Sequence, residues 1–452
     1  MPVAEKNLAT AHPLLERLSD ARQKSDALFG LVRDSSLYER PIPERHRIVF
    51  YIGHLEAFDW NLLGESIAKE KTAHPEFDRL FAFGIDPVGG GLPNDAPSDW
   101  PALEDVRDYV ANVRGVLDQH LADAIARPEA EARDGFPLST LLNVAIEHRL
   151  MHVETLAYML HQLPFQMKTP PAGRQRNLRD LSGVAIEPDT IVIPPGVVTL
   201  GLHRDSGIFG WDNEFEAHSE EVLGFTIDKY KITNGQYLEF MVADGYEKPI
   251  FWTDEDWKWM SAQKISHPAF WRKENGEWLY RTMFDDVPLP LDWPVYVSQA
   301  EASAYARWAG KALPTEAEWQ HAAYGSQQGS SRHYPWGDQD PESASGKRLG
   351  NFDLRNWDPT PVNAFPEGQS AFGVHDMLGN GWEWTSSTFG PFPGFKAFPF
   401  YKGYSADFFD GKHFVMKGGS ARTAACMLRS TFRNWFQAHY QYVYAGFRCV
   451  RR

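Results

Sequence analysis

The sequence predicts two domains of different fold class, a helical bundle over residues 1–165 and an irregular α+β domain over residues 185–452. Apolar residues recur with helical periodicity up to the end of the first range, and short apolar strands separated by Gly, Pro, Asn and Trp follow in the second. The segment between them, residues 166–184, is polar and contains proline, as is typical of a linker. A chain of 452 residues is long enough for each domain to have its own core.

The N-terminal domain contains four segments with the periodicity of amphipathic helices. They cover residues 14–32, 44–71, 102–126 and 137–163. Pro41 and Pro43 precede the second segment, and the fourth begins at Pro137 and ends before Pro164, positions at which proline is tolerated. Four helices of this length predict an up-and-down four-helix bundle. The Gly- and Pro-rich connection over residues 70–100 is long, and loops of that length are often functional.

The second domain combines predicted strands with a smaller number of helices. The strands are expected at residues 190–201, 224–233, 414–420 and 444–452, and the helices at 234–245, 298–311 and 313–325. Long connections rich in aromatic residues separate them. This mixture predicts a single irregular α+β domain with packed loops.

Composition excludes several classes of protein. The net charge is −15 without a Lys/Arg run, which argues against nucleic-acid binding. No stretch approaches the 18 consecutive apolar residues of a membrane span, and the N-terminal segment lacks the apolar region of a secretory signal. Two Cys cannot form a disulfide framework, so a cytoplasmic location is expected. The 14% aromatic content fits either loop packing or an aromatic-lined pocket.

Three histidines form a candidate metal site in the first domain. His148 and His152 are four residues apart on the fourth predicted helix, so their rings project from one face about 6 Å apart. His54 is the seam histidine of the second predicted helix. A lone histidine on an apolar face is usually a hydrogen-bonded core residue, but three on facing seams are costly to bury without a metal.

The ligand type leaves the identity of the metal open. Three neutral nitrogen ligands leave coordination positions free, which suits Zn²⁺ with an activated water or Fe²⁺ with O₂ and a substrate. Glu147 and Glu154 lie nearby in the sequence. Either carboxylate could accept the second ring N–H of a ligand, although solvated carboxylates on the helix surface are an equal alternative.

The motifs of both halves resemble those of a known two-domain family. The first half, with His54 and the segment EHRLMHVET at residues 147–155, resembles the DinB-like domain of the ergothioneine/ovothiol sulfoxide synthases. The second half resembles the C-type-lectin-like domain of formylglycine-generating enzymes, which is fused to it in that family. Its motifs are GWDNE at 210–214, DKYKITNGQYLEF at 228–240, ALPTEAEWQHAA at 312–323, YPWGD at 334–338, GVHDMLGNGWEWT at 373–385, KGGSA at 417–421, RNWF at 433–436 and AGFRCV at 445–450.

The resemblance implies a mononuclear non-haem iron enzyme. In the family, Fe²⁺ held by three histidines activates O₂ and joins a sulfur nucleophile to imidazole C2 of hercynine, which is N-trimethylated histidine. Related branches make a carbon–selenium bond with a selenosugar donor. The iron ligands are expected at three positions of this chain, His54, His148 and His152.

The resemblance also implies the residues that bind the acceptor. Asn434 and Trp435 are expected to hold the trimethylammonium group, and Met151 is expected to face the substrate. Aromatic faces recognise a quaternary ammonium through cation–π attraction, and Trp382 and Phe436 are further sources of such faces. A structural role for Trp382 in the core is an equal alternative.

Departures from the family pattern fall on the side of the chalcogen donor. Where the family has Asp after Asn-Trp, this chain has Phe436, and the tyrosines that follow Arg79 in the family are absent. Arg79 itself is kept. The family's catalytic tyrosine has two candidates here, Tyr401 and Tyr404. The reactive Cys positions of formylglycine-generating enzymes correspond to Thr423 and Leu428, so their thiol chemistry is not expected, and both Cys should be buried.

The retained ligands and the changed donor side favour the selenoneine synthase branch, in which hercynine, O₂ and a selenosugar are the small-molecule partners. An ergothioneine-type synthase using cysteine or γ-glutamylcysteine is the first alternative. A Zn²⁺-dependent DinB-like thiol S-transferase and a non-catalytic ligand-binding protein are two further alternatives. The sequence leaves the oligomeric state open.

Overall fold

The protein divides into two compact units, Met1–Pro171 and Ala172–Arg452. The computed structural model describes residues 12–68, 72–82, 93–126, 131–171, 185–327, 329, 331–341 and 349–452. Most of the predicted linker, residues 172–184, therefore lies outside the described residues. Across the described ranges, no helix has the length and apolar character needed to cross a membrane.

Unit 1 is helical. Its helices are α1 (Pro13–Phe29), α2 (Ile48–Asp59), α3 (Glu65–Ile67), α4 (Pro75–Leu80), α5 (Leu103–Ile125) and α6 (Leu138–Gln162). Helices α2, α5 and α6 lie within three of the four segments whose periodicity predicted helices, and α1 begins one residue before the first segment. Helix α6 packs against α1 and α2, and α2 also packs against α5. Because α6 has neighbours on several sides, its side chains are buried around most of its circumference.

Two features of unit 1 differ from the sequence prediction. The connection predicted as a loop at 70–100 contains α4, while its residues 70, 71 and 83–92 lie outside the described residues. A short antiparallel hairpin, β1 (Glu131–Arg133) with β2 (Phe136–Pro137), precedes α6. Asp134 and Gly135 have positive φ angles in its turn, which favours a hairpin over a helical start.

Unit 2 mixes four helices with small sheets in its described part. The helices are α7 (Asn234–Val242), α8 (Asp254–Gln263), α9 (Gln299–Trp308) and α10 (Glu316–Tyr324). The strands are β3 (Thr190–Ile193), β4 (Gly196–Leu200), β5 (His218–Val222), β6 (Phe225–Asp228), β7 (Trp271–Glu274), β8 (Glu277–Arg281), β9 (Asp286–Pro288), β10 (Trp382–Thr388), β11 (His413–Lys417), β12 (Asn434–Gln437), β13 (Ala445–Gly446) and β14 (Val450–Arg451).

The described strands of unit 2 form four small sheets. One sheet has the order β12–β11–β10–β13, in which β10 and β13 are parallel, and another has the order β14–β6–β3. Strands β4 and β5 form a hairpin, and β7, β8 and β9 form an antiparallel meander. A core that includes Ile227, Trp319, Phe352 and Met377 packs α10 against β3, β4, β5 and β6. The predicted α+β class is confirmed for this unit.

Candidate metal centre and substrate-binding residues

The three predicted metal ligands lie together in the interior of unit 1. His54 is on α2, His148 and His152 are one turn apart on α6, and each is at most 5% exposed. Their candidate ligand nitrogens all lie within 4.8 Å of one another. The Nε2 atoms of His148 and His152 are 3.2 Å apart, a separation that two bonds of about 2 Å to one ion can span.

The hydrogen bonding of His54 determines which of its two ring nitrogens is available to bind a metal ion. Its Nδ1 lies 2.7 Å from the main-chain oxygen of Phe81, and because a carbonyl only accepts hydrogen bonds, Nδ1 must carry the proton. Nε2 is then an unprotonated acceptor, and it has no hydrogen-bond partner within the described part of the chain. A metal-binding imidazole is arranged in this way, with its outer N–H held by a fixed acceptor.

Burial keeps the three rings in the form that binds a metal. It lowers the pKa of His54 to about 4 and holds the pKa values of His148 and His152 well below the usual range. The neighbouring histidines act in the same direction. Because only the neutral imidazole has a lone pair to donate, the donor set fits a divalent first-row metal ion.

Aromatic rings line this histidine cluster. The ring of Phe58 is nearly parallel to that of His148 at a centroid distance of 3.5 Å, and the ring of Phe50 is stacked on His54 at 4.9 Å. Stacked rings restrict rotation about the side-chain bonds of the ligands.

A buried ionic network joins the two helices that carry the ligands. Arg149 donates to Glu56 at 3.0 Å and to Asp59 at 2.7 Å, and these three side chains are at most 1% exposed. Arg114 on α5 donates to the same oxygen of Glu56, Oε1, at 2.8 Å. Burial opposes ionisation of Glu56, but Arg149 and Arg114 outweigh it and lower the pKa of Glu56. The network therefore fixes α6 against α2 next to the histidines.

Burial decides against one of the two alternatives for Glu147 and Glu154. Glu147 and Glu154 are 2% and 7% exposed, so the alternative of solvated carboxylates is wrong. The acceptor found next to His54 is the main-chain oxygen of Phe81, which sequence reasoning missed. A main-chain carbonyl 27 residues away leaves no signature in the residue types.

Two other residues of unit 1 are predicted to bind substrate, and they differ from each other in how exposed their side chains are. Met151, between the two ligands on α6, is half-buried. Arg79 is exposed on α4. Their roles in substrate binding stay predictions.

In unit 2, the predicted acceptor-binding residues lie on β12. The half-buried Trp435 stacks on Phe389, with ring centroids 4.1 Å apart and ring planes within 5° of parallel. The oxygen of the Asn434 side chain accepts a hydrogen bond of 2.9 Å from the main-chain N–H of Trp435. Phe436 stacks on Tyr440 at 4.9 Å. Because side chains alternate along a strand, Asn434 and Phe436 share one face of β12 and Trp435 is on the other.

The two candidate catalytic tyrosines lie in one aromatic group with Trp435. Tyr404 is stacked on Trp211 at 4.0 Å and meets the ring of Trp435 edge-on at 5.4 Å. Tyr401 lies 5.4 Å from Tyr404. Burial, together with the nearby Asp212 carboxyl, raises the pKa of Tyr401, so its phenol keeps its proton.

Trp382 belongs to different surroundings. It is 3% exposed on β10, with its ring 6.0 Å from that of Phe432. Trp384, two residues further on the same strand, is fully buried and donates from its indole nitrogen to the Val297 carbonyl at 2.8 Å. The contacts of Trp382 therefore favour its structural alternative.

Comparisons with known proteins agree with this arrangement. Residues 17–156 match the DinB superfamily, and residues 179–452 match the sulfatase-modifying factor enzyme 1-like domain. The chain is 33% identical to a hercynine oxygenase of Mycolicibacterium smegmatis, over 96% of this chain and 97% of that protein. It belongs to the ergothioneine/ovothiol sulfoxide synthase family. As in the rest of this family, the chain is an enzyme, an oxidoreductase.

Two further relatives match different lengths of the chain. Ergothioneine biosynthesis protein 1 of Neurospora crassa is 27% identical over 93% of this chain, which spans only 55% of that longer protein. A formylglycine-generating enzyme of Mycobacterium tuberculosis is 32% identical, over 45% of this chain and 75% of that enzyme. Both domain types of the synthase family are therefore present.

The two cysteines do not both follow the expectation. Cys449 is buried, as expected, but Cys426 is only partly buried, so the prediction is wrong for that residue. Cys426 lies in a short helical turn at Ala425–Met427. Thr423 and Leu428, the positions that correspond to the reactive Cys pair of formylglycine-generating enzymes, are both buried.

Sequence reasoning gave Asp212 of the GWDNE motif no role, but the structure places it beneath the tyrosines. Asp212 is fully buried and accepts a hydrogen bond of 2.6 Å from the hydroxyl of Ser405. Ser405 directly follows Tyr404, so this bond fixes the segment that carries both tyrosines. Burial raises the pKa of Asp212 from 3.8 to about 6. The GWDNE motif was the signal in the sequence that could have pointed to Asp212. Its partner, Ser405, lies 193 residues away along the chain.

We expect the stability of Asp212→Asn relative to wild type to be more favourable at pH 7 than at pH 4. The native carboxyl holds a proton between pH 3.8 and about 6 that the unfolded chain has lost, so wild-type stability falls as the pH rises through this window. The neutral amide has no such dependence. The difference in unfolding free energy between variant and wild type should change by about 2.5 kcal/mol from pH 4 to pH 7. Chemical denaturation at both pH values measures it, and an unchanged difference would contradict the assignment.

Proposed function

We propose that this chain is a non-haem Fe²⁺- and O₂-dependent enzyme that forms a carbon–selenium bond at imidazole C2 of hercynine, with a selenosugar as the donor. The observation that carries the proposal is the buried cluster of His54, His148 and His152, whose neutral rings leave the Nε2 of His54 without a partner among the described residues. Membership of the synthase family supports the choice of acceptor and metal.

The proposal includes the finer details of the architecture. Residues 1–165 form a DinB-like four-helix bundle that holds the metal, and residues 185–452 form a C-type-lectin-like domain that binds substrate. Helices α1, α2, α5 and α6 support the bundle. The family matches over residues 17–156 and 179–452 support the division of the chain.

Residues of this chain would hold the metal ion and keep its ligands in the form that binds it. His54, His148 and His152 would hold Fe²⁺ through neutral nitrogens, and a bound Fe²⁺ would supply the activation of O₂. The Phe81 carbonyl holds the proton of His54 on Nδ1 and so keeps Nε2 available. The rings of Phe50 and Phe58 exclude water from the sides of the cluster.

Trp435 and Asn434 are proposed to bind the trimethylammonium group of the acceptor. A quaternary ammonium has no hydrogen-bond donor, so an aromatic face is its best partner. The half-buried indole of Trp435 is held rigid between Phe389 and Tyr404, which lowers the entropy lost on binding. Asn434 precedes it on the other face of β12, and the main-chain N–H of Trp435 holds the Asn434 side-chain oxygen at 2.9 Å.

The donor proposal depends on the residue after Trp435. Phe436 stacks on Tyr440 and offers no charge, where the family has a carboxylate that helps to hold an amino-acid donor. A neutral selenosugar does not need that charge. An ergothioneine-type reaction with cysteine or γ-glutamylcysteine is the alternative within the family.

The donor test is a comparison of substrates. The Fe²⁺-loaded protein is given hercynine and air with a selenosugar, cysteine or γ-glutamylcysteine, and O₂ uptake and product mass are followed. We expect a selenium-containing hercynine product with the selenosugar. Turnover with a thiol amino acid but not with the selenosugar would overturn the donor. Bound zinc without O₂ uptake would favour a thiol S-transferase, and hercynine binding without turnover would favour a non-catalytic protein.

Trp435→Ala should raise the KM for hercynine by about 10- to 30-fold, because a desolvated cation–π contact contributes about 2 kcal/mol. The change in KM should be smaller with histidine as the acceptor, since its amino group can use hydrogen bonds instead. Trp435→Phe is the matched control, because it keeps an aromatic face and should retain most of the affinity. Steady-state kinetics with both acceptors measure the effect. An equal rise of KM for histidine and hercynine would contradict the proposed role.

A further inference from the structure

Helix α4 holds the acceptor that orients one of the candidate metal ligands. The helix has only six residues and ends at Leu80, directly before Phe81, whose carbonyl accepts the hydrogen bond from His54. Helices of this length are not stable alone in water. The position of the Phe81 carbonyl therefore depends on the side chains that attach α4 to the rest of unit 1.

A buried hydrogen bond attaches α4 to α5. The hydroxyl of Tyr109 donates to the carboxylate of Asp78 at 2.7 Å, and the two residues are 0% and 7% exposed. Burial raises the pKa of Tyr109, so the phenol stays a donor. The Tyr109 ring also contacts the rings of Phe77 and Phe81 at 5.5 and 5.9 Å. A phenol–carboxylate bond in such surroundings is strong, because either group alone would be buried without a partner.

A glycine lets Phe81 approach the ligand helix. Gly53 directly precedes His54 on α2, and a Cβ atom at this position would lie 2.4 to 2.5 Å from three atoms of the Phe81 ring. Such distances are far below van der Waals contact, so any larger residue must displace Phe81. One of these atoms is Cγ, which rotation about the Cβ–Cγ bond leaves in place, and Phe81 is fully buried. Relief of the clash therefore needs a turn about Cα–Cβ within the packed interior or a shift of the Phe81 main chain, which carries the acceptor of His54.

We infer that Tyr109, Asp78 and Gly53 are positioning residues for the metal centre, which hold the Phe81 carbonyl against Nδ1 of His54 and thereby keep Nε2 of His54 free to bind the ion. This inference rests on the proposed function, because it requires the three histidines to bind a metal. None of the three residues needs to touch the metal or a substrate. Their effect reaches the metal through a single hydrogen bond.

The test compares metal affinity in two tyrosine variants. Tyr109→Phe removes the bond to Asp78, whereas Tyr158→Phe removes a comparably buried phenol of unit 1 that accepts a 3.2 Å bond from Arg45. Co²⁺ affinity is measured anaerobically by competition with a chelator, together with the visible absorption bands of the bound ion. We expect Tyr109→Phe to weaken binding and to shift the bands, with the about 10- to 100-fold loss of an outer contact as the upper limit, because the Phe81 carbonyl itself remains. Tyr158→Phe should do neither.

Gly53→Ala provides a second variant, which changes the same carbonyl without altering any polar group. It should also weaken Co²⁺ binding, while the thermal unfolding of the metal-free protein shows that it is folded. Wild-type affinity in both Tyr109→Phe and Gly53→Ala would overturn the inference and leave the proposed function standing. A wild-type protein that binds no Co²⁺ would overturn both.

Discussion

A His152→Ala variant should bind no stoichiometric Fe²⁺ and should lose turnover of hercynine by more than the 10- to 100-fold that is typical of outer contacts. The reason is geometric. His148 and His152 come from consecutive turns of α6, and their Nε2 atoms are 3.2 Å apart, so removing one leaves His54 and His148 as an incomplete donor set. Anaerobic Fe²⁺ titration followed by O₂-uptake kinetics measures both effects.

The control for this variant is a histidine on the same helix. His161 is 1% exposed on α6 but lies outside the three-histidine cluster. His161→Ala creates a comparable loss of buried volume and should keep stoichiometric Fe²⁺ binding. Retention of Fe²⁺ by His152→Ala, or equal loss in both variants, would contradict the assignment of the ligands.

Arg149→Met should lower the free energy of unfolding by about 3–5 kcal/mol, the usual result of removing one partner from a buried ionic group. Arg149 is 0% exposed and is the shared partner of Glu56 and Asp59 on α2. Methionine fills similar space, so the loss comes from Asp59, which stays buried without its hydrogen-bonded cation, and from Glu56, which keeps only Arg114 among its described partners. Urea denaturation of the metal-free full chain, followed by circular dichroism, measures the change.

An exposed ion pair of the same unit is the matched control. Arg107 bonds to Asp34 at 2.9 Å, but the two side chains are 57% and 65% exposed. Solvent screens this pair, so Arg107→Met should change stability by at most about 1 kcal/mol. Equal effects of Arg149→Met and Arg107→Met would show that the buried network does not stabilise α6 against α2.

Features that depend on neighbours in the sequence could be predicted. The helices α1, α2, α5 and α6 follow from periodicity, and the pairing of His148 with His152 follows from the helical repeat. His54 could be added because the seam of a second helix must face the core. When helices with inward-facing histidines pack in one bundle, those histidine rings are expected to lie close together.

Features that depend on distant contacts could not be predicted. The carbonyl of Phe81 reaches His54 across 27 residues, and Ser405 reaches Asp212 across 193 residues. Helix α4 lacks the length for a clear periodic signal. Asn380 and Gly381, directly before strand β10, have positive φ angles, as is typical of a turn. The buried WEWT segment begins immediately after them, so the sequence around the start of β10 resembles a turn as much as a strand.

The most direct test of the central claim is a reaction of the Fe²⁺-loaded full chain with hercynine, O₂ and a chalcogen donor, analysed by product mass and by O₂ consumed. The three-histidine centre predicts that hercynine gains one selenium or sulfur substituent at imidazole C2 only when Fe²⁺ and O₂ are both present, and that His152→Ala forms none. Unchanged hercynine in the loaded wild-type protein with every donor, or product formation by His152→Ala at the wild-type rate, would contradict it.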